Sequence, residues 1–440
     1  MMKKILRTFI ASLLATLSSG IIRKYKPTVI MVTGSVGKTS TKDAIAAALS
    51  EMYFLRKSEK SHNTEFGVPF TIIGVENPWR NIFAWIRVFQ EAFTLLLLPN
   101  HYPKMLVLEV GAGKPGDITD LLHMITPDIV VVTRLPEVPV HVEAYVSPQA
   151  VREEEFMPAY ALAPAAPLII SADDLYARDM ALRLPVRTIT YGMNEDAQVH
   201  IEHPDFLIED GRVRGMQAQV SVNGVNGVNG APRTATGTVA VRGALGRQQL
   251  FAPVSALAVA VALSTSIDSA LAGLSAYTPP PGRGRILDGV QGSIIVDESY
   301  NASPVAVVES LSTLRDITPT SRRIAVLGDM LELGRYSVSE HARIGELVAH
   351  CADLLITVGV RAQGIAHSAQ EAGLNVKNIH ICNTVQEASD ILSKLAHPND
   401  IFLVKGSQSV RLERVVKTLL KNPGDSVYLP RQDRQWKLIS

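Results

Sequence analysis

Apolar and polar positions along this chain fall into two rhythms. Residues 28–33 (Thr-Val-Ile-Met-Val-Thr) are an apolar, β-branched run that stops at Gly34, and they predict a buried strand. A helical stretch is expected from Lys42 to Met52. Further apolar runs at Met105–Val110, Ile129–Thr133 and Leu168–Ile170 alternate with helical stretches. That alternation predicts a mainly parallel sheet with crossover helices. Residues 190–250 switch to short alternating segments with turn residues, which predict β-hairpins. Within them Val222–Gly230 repeats Val-Asn-Gly three times and reads as a surface loop without chemistry, because Asn-Gly favours tight turns. Ala252–Ala272 is small, apolar and helical, and the stiff tract Tyr277–Gly282 marks a domain boundary. Beyond it Ser293–Val296, Arg323–Leu327, Leu354–Val358 and Ile401–Val404 predict a second open sheet. The fold class is therefore α/β, with a central domain over 28–277 and a Rossmann-like domain over 278–440.

Residues 1–27 follow a different pattern. Ile5, Leu6, Phe9, Ile10, Leu13, Leu14, Leu17 and Ile21 recur at helical spacing, with Thr8, Ser12, Thr16 and Ser19 on the other side. Lys3, Lys4 and Arg7 precede the stripe, and Arg23, Lys24 and Lys26 follow it. This outline resembles a signal peptide, but export would part the phosphate loop at Gly34 from ATP, and the run is short for a span of ~20 residues. It predicts an amphipathic helix lying on a membrane surface, with packing on the protein's own body as the alternative. Asn81–Leu98 holds Ile82, Phe83, Trp85, Ile86, Phe89 and Phe93 with only Arg87 and Glu91 charged. It reads as a core helix or as a second membrane contact.

Composition narrows the function classes. Hydrophobic residues make up 47% of the 440 and charged residues 19%, enough for buried cores and against disorder. A net charge of +1 gives no field that favours nucleic acid. Cys351 and Cys382 are too few for a disulfide framework, and their spacing fits no zinc site. A reducing cytosol, with peripheral attachment to the inner face of the membrane, is the expected location.

The strongest chemical signal is Gly34-Ser35-Val36-Gly37-Lys38-Thr39-Ser40 between a strand and a helix. Its glycines let backbone N–H groups close around phosphate oxygens, Lys38 reaches the outer phosphates and Thr39 holds Mg²⁺. The loop is two residues shorter than the generic form.

This short loop resembles that of the Mur ligases, and further segments resemble the family in the same order. They are His62-Asn63-Thr64-Glu65-Phe66-Gly67-Val68-Pro69, Leu108-Glu109-Val110-Gly111-Ala112, Asp297-Glu298-Ser299-Tyr300-Asn301-Ala302-Ser303-Pro304, Leu327–Gly334 with His341 beyond, and Lys405-Gly406-Ser407-Gln408. Together they point to the branch that adds D-alanyl-D-alanine. The resemblance implies an ATP- and Mg²⁺-dependent ligase that joins a carboxylate to an amine through an acyl phosphate, in cell-wall peptide synthesis. It implies that Glu109 and His141 bind metal, with Lys38 and Lys405 also catalytic. It places Arg283, Asp297, Tyr300, Asn301 and Asp329 about the nucleotide, and a monomer is expected. Glu109 at a strand's end and His141 and Glu143 in His-Val-Glu are also reasonable ligands by chemistry alone.

Three departures qualify the resemblance. Only some 27 residues precede the first strand, so the family's separate UDP-sugar domain is expected to be lacking. The lysine that the family modifies to a carbamate, fourteen residues after the metal histidine, falls here on Glu155 within Arg152-Glu-Glu-Glu-Phe156. Glu155 supplies a carboxylate directly, unless the register slips to Glu154 or Glu153 or the run is a solvated face. Gln408 stands where an arginine is common, which leaves the second substrate open. The same chemistry on another acid (folate polyglutamylation, poly-γ-glutamate or pseudomurein ligation) and a non-catalytic nucleotide-binding scaffold are the alternatives.

Overall fold

The computed structural model describes residues 2–59, 65–79, 81–226, 232–317, 322–432 and 436. His62–Thr64 of one motif lie outside them. Among the described residues the strands form two sheets. The first runs in the order β2-β3-β1-β4-β5-β6-β7-β8-β9, with β1 Thr28–Thr33, β2 Leu55–Lys57, β3 Met105–Glu109, β4 Ile129–Val132, β5 Pro167–Ser171, β6 Arg187–Gly192, β7 Val199–Glu209, β8 Arg212–Asn226 and β9 Pro232–Arg242. The neighbours from β2 through β7 are parallel, and β7, β8 and β9 are antiparallel. The second sheet runs β10-β11-β15-β12-β13-β14, with β10 Arg285–Asp288, β11 Ile294–Glu298, β12 Arg323–Gly328, β13 Leu354–Val358, β14 Ile379–Cys382 and β15 Ile401–Lys405. All its neighbours are parallel except β10 with β11.

Several boundaries move from those the sequence predicts. The helix after the phosphate loop, α2, spans Lys38–Leu49 and so starts at the loop's own lysine. Its first turn, Lys38-Thr-Ser-Thr41, has no apolar periodicity to betray a helix, because it faces the site rather than a core. The expected hairpins of 190–250 form, as β7, β8 and β9 paired antiparallel in chain order; their strands are longer than the short segments predict and extend the first sheet, and the Val-Asn-Gly tract enters β8 as far as Asn226 before it leaves the described residues. The 252–272 stretch breaks into two helices, Phe251–Ala262 and Ile267–Leu274. Ser266 caps the second by accepting from the Ser269 N–H, which a uniform apolar pattern conceals.

The N-terminal stripe is divided. α1 (Met2–Tyr25) buries Leu14, Leu17 and Ile21 against the first domain's core, and Ser19 Oγ donates to the Met124 carbonyl. Its C-terminal half thus takes the alternative reading, packed on the protein's own body. Leu6 and Phe9 stay exposed. α1 is long and apolar enough to cross a membrane by length and composition alone. After α3 (Gly67–Ile73), α4 (Ile82–Leu97) lies beside α1 and buries Val88, Ala92 and Leu95 in the same core. Lys24 of α1 donates to the carbonyls of Leu95, Leu96 and Leu98, so a cation caps the negative end of α4.

Candidate active site

The first sheet delivers a phosphate loop at the C-terminal end of β1. Gly34 has φ +115°, and an added Cβ would lie 2.4 Å from Thr133 Oγ1; Gly37 has φ +90° at the entry to α2. Only glycine tolerates both the angle and the closeness at position 34. Lys38 folds back to donate to the Gly34 carbonyl. Thr39 Oγ1 donates to Glu109 Oε1 at 3.1 Å and accepts from Arg283 Nη2 at 3.0 Å. Parallel pairing sets Val32 opposite Glu109. The other oxygen of Glu109, Oε2, is buried and accepts no hydrogen bond; Lys42 stands 3.7 Å from it. Lys42 is itself buried, and desolvation lowers its pKa against the pull of Asp43 and Glu109.

Glu155 lies behind the loop on the Pro148–Tyr160 helix. It is 1% exposed, and its Oε2 accepts from Ser35 Oγ at 2.5 Å. Burial pushes its carboxyl pKa up, while Lys38, Ser35 and His141 oppose the shift. Of the three acids Glu155 is the one that faces the loop: Glu154 accepts from the Ile118 N–H and Glu153 from Gln149 on the surface. The reading of the acidic run as a solvated face does not hold for Glu155.

The second sheet supplies the facing wall. Arg283 lies 4.4 Å from the Tyr300 ring centre and so links the Tyr277–Gly282 connector to the loop after β11. Lys405, at the end of β15, donates to Glu298 Oε2 at 2.6 Å and to the Asn301 carbonyl at 3.2 Å. Ser407 Oγ accepts from the Leu331 N–H. One cavity of about 1670 Å³ is lined by Lys38, Thr39, Glu109, Arg283, Tyr300, Asn301, Glu298, Lys405, Ser407 and Gln408 together.

Other expected residues go elsewhere. Asp329 does not line this cavity; it accepts from the Ala362 N–H at 2.8 Å and holds the loop after β13. Asp297 is fully buried behind the wall, accepts from the Ser299 N–H, and has its pKa raised to about 6 by burial. His341 is buried too, accepting from the Met330 N–H and meeting the Ser337 carbonyl, which makes it a brace for its own loop. His141 lines the cavity, but its Nδ1 meets Glu332 Oε2 at 2.9 Å, tying the first domain to the second. Among the described residues no three His, Cys, Asp or Glu side chains gather as a ready metal cage, so Glu109, His141 and Glu155 do not converge as one ligand set. Each is drawn to another partner: Thr39, Glu332 and Ser35 respectively.

Sequence reasoning missed three contributors. Glu298 sits inside a quoted motif but had no role. Lys42 reads as an ordinary helix lysine. Arg431 is buried and donates to Glu413 Oε2, to the Ser299 carbonyl and to the Tyr300 carbonyl, so it holds the Tyr300 loop from behind. No local pattern marks a residue so far along the chain from its partners.

Comparisons with known proteins agree across most of the chain. Residues 32–220 match the Mur ligase middle domain, and residues 282–408 match the domain described as Mur ligase, glutamate ligase domain. The UDP-N-acetylmuramoyl-tripeptide–D-alanyl-D-alanine ligase of Bacillus subtilis is 24% identical over 93% of this chain and 79% of its own length. The enzyme of that name from Synechocystis is 28% identical over 92% and 78%. In fold, the MurF ligase of Thermotoga maritima, solved with ADP, superposes with a TM-score of 0.72 at 24% identity over 93% of this chain and 83% of that one.

Proposed function

This chain belongs to the Mur ligase family, and on that premise we propose that it joins a substrate carboxylate to an amine with cleavage of ATP to ADP and phosphate. The observation that carries the reading is the cavity wall shared by Lys38, Thr39, Glu109 and Arg283 on one side and Tyr300, Asn301 and Lys405 on the other. A carboxylate oxygen attacks the γ-phosphorus, the bond to the β-phosphate oxygen breaks and ADP leaves. The amine nitrogen then attacks the acyl carbon, loses a proton and expels phosphate. Two anions must meet for the first step. Lys38 and Arg283 neutralise charge there, and the closed walls keep water from the acyl phosphate. Tyr300 borders the base, and Asn301 offers amide hydrogen bonds to it. Aspartates 297 and 329 act from behind, as supports.

Magnesium fits the first wall. A buried carboxylate oxygen with no hydrogen bond, beside a threonine hydroxyl, is the hard-oxygen environment this ion selects. Bound there by Thr39 and Glu109, it would supply charge neutralisation for the phosphates. His141 and Glu155 belong to this proposal as outer partners: Glu155 holds Ser35 and faces Lys38 where the family has a carbamate. By the names of its relatives, the acyl substrate is a muramoyl-tripeptide and the amine D-alanyl-D-alanine. The proposed domain division at 277/278 rests on the passage between the two sheets.

We also place the protein at the cytoplasmic face of a membrane. α1 has no acidic residue, and α4 buries one face while Ile82, Phe83, Ile86, Phe93 and Leu97 face solvent at 47–78% exposure. Burying each such side chain is worth about 1.5–3 kcal/mol. The exposed cations Arg23, Lys26 and Arg87 suit an anionic surface. Flotation of the full chain with phosphatidylglycerol vesicles tests this, and a chain left at the bottom of the gradient refutes it. ADP release that requires both a muramoyl-tripeptide and D-alanyl-D-alanine tests the ligase. ATP binding without such release would make the protein a scaffold.

A further inference from the structure

We infer that the carboxylate substrate of this protein is a membrane-anchored amphiphile, a peptide-bearing head group on a lipid, rather than a freely soluble molecule. The inference rests on the ligase reading above and names its substrate class. Its basis is where the cavity opens. One end is the phosphate loop; the other is lined by Arg7, Glu65, Phe66 and Trp79, which come from α1 and the segments flanking α3. Arg7 is tied down there: it meets Glu65 Oε1 at 2.9 Å and lies 5.6 Å from the centre of the Phe66 ring. Phe66 in turn packs edge-on against Trp85 of α4. The mouth of the cavity is thus bordered by α1 and by segments that pack against α4, the two helices with apolar side chains on their outer faces.

Trp79 marks the junction. Its φ is +47°, a region that a bulky residue rarely enters, and its carbonyl is held by the indole N–H of Trp85 at 3.1 Å. The side chain lines the cavity yet is 57% exposed, and three residues later the apolar run begins at Ile82. An indole, apolar with one polar edge, is the side chain that settles where a bilayer meets water. Ile82, Phe83 and Ile86 lie opposite Val88, Ala92 and Leu95 around α4, so they face away from the core. A soluble carboxylate needs no apolar apron at the cavity mouth. A lipid-linked one does: its anchor remains in the bilayer under α1 and α4 while its head passes Trp79 to reach Lys38 and Glu109. A cavity of about 1670 Å³ exceeds the usual ~300–1,000 Å³ of a small-molecule pocket and leaves room for such a head beside a nucleotide.

The test presents one tripeptide-bearing sugar to the full chain in two forms, with D-alanyl-D-alanine as amine. One is the water-soluble UDP conjugate; the other is its polyprenyl diphosphate conjugate in phosphatidylcholine–phosphatidylglycerol vesicles. The expected result is a kcat/KM at least about tenfold higher for the lipid-linked form, carried by KM, because anchoring substrate and enzyme to one surface raises effective concentration. A Phe83→Asp/Ile86→Asp variant should lose that preference, with ADP binding read alongside to show that it is folded. Equal turnover of both forms, or vesicle binding with no preference, overturns the inference and leaves the ligase standing. So does self-association in vesicle-free buffer that the double variant abolishes, which would assign the face to a second copy of the chain. Absence of amine-dependent ADP release from either form removes the ligase reading itself, and this inference with it.

Discussion

The two walls of the cavity carry similar charges and use them in opposite ways. On the second wall most charges answer one another. Lys405 is 2.6 Å from Glu298, which also accepts from Ser310, and Arg431 closes on Glu413. On the first wall the accounts stay open. Lys38 turns to a backbone carbonyl, Glu109 Oε2 is buried without a hydrogen bond, and Glu155 is buried with its carboxyl pKa raised. Burial of charge is common to both, so burial alone does not mark chemistry. An open valence alone does not either, since Asp297 Oδ2 and Arg431 Nε on the second wall are also buried without a hydrogen bond; what sets the first wall apart is an anionic oxygen on a residue that lines the cavity beside a threonine hydroxyl, where a cation can complete it.

The comparison breaks most sharply at its two lysines. Lys38→Ala should lower amine-dependent ADP release by about 10²–10³-fold while circular dichroism and thermal unfolding stay near wild type, since a phosphate-facing cation is lost from a dry site. Near-normal turnover by a folded Lys38→Ala protein would remove the phosphate-loop assignment. Lys405→Ala should instead strike stability, by about 3–5 kcal/mol, because it leaves Glu298 charged, buried and unpaired. The double variant Lys405→Met/Glu298→Leu should recover much of that loss in a denaturant titration. If Lys405→Ala is as stable as wild type, the second wall is not self-satisfied and the contrast fails.

Asp297 sharpens the same contrast through pH. Its folded pKa of about 6 lies above its ordinary value of 3.8, so the folded state favours the protonated form. Its contribution to stability is fully present below about pH 4 and is lost as pH rises through about 6. The gap corresponds to about 3 kcal/mol. Asp297→Asn, which keeps an acceptor for the Ser299 N–H, should therefore unfold at a higher temperature than wild type near pH 8 and at nearly the same temperature near pH 4. A constant difference across pH would show that the carboxyl is not held neutral by burial.

How much of this was legible in the sequence depends on distance along the chain. The runs at 28–33, 105–110, 129–133 and 354–358 became strands within a residue or so, because a strand buried on both faces must be continuously apolar. β2, with three residues, and β14, with its half-exposed Ile-His-Ile, had no such run to show. The motifs brought Lys38, Thr39, Glu109, Arg283, Tyr300 and Asn301 to one cavity. They did not separate residues that line it from Asp297 and Asp329, which brace it, since motif spacing records neither the side of a strand nor the depth of a side chain. His141 with Glu332 and Arg431 with Tyr300 are pairings across the fold, and nothing local encodes them. The N-terminal stripe was visible as amphipathic, but one apolar pattern serves both a core and a bilayer, and α1 divides it between the protein's body and the exposed face.

The smallest expected effect falls on Glu155, which we propose takes the place of the family's carbamylated lysine. A carbamylated lysine forms from carbon dioxide and is lost when that is removed; a glutamate side chain is permanent. Activity should therefore be indifferent to added bicarbonate. Glu155→Gln keeps the shape and an acceptor for Ser35 Oγ but removes the anion that faces Lys38. If that anion orients the loop around a divalent ion, the magnesium concentration needed for half-maximal turnover should rise about tenfold, the scale of outer-partner effects on metal affinity, with a smaller change in ATP affinity. The neutral amide also relieves a buried charge, so the variant should be at least as stable as wild type, and loss of fold cannot stand in for loss of function. Glu154→Gln is the control. Its carboxylate holds the Ile118 N–H, away from the loop, and its magnesium curve should not move. An unchanged curve for Glu155→Gln would reduce that residue to a brace for Ser35 and place it, with Asp297, among groups buried for structure. A shift only in Glu154→Gln would contradict the side-chain geometry behind the loop. A shift only in Glu155→Gln would extend the unsatisfied wall from Glu109 to a second acid, one that the family elsewhere supplies by chemical modification.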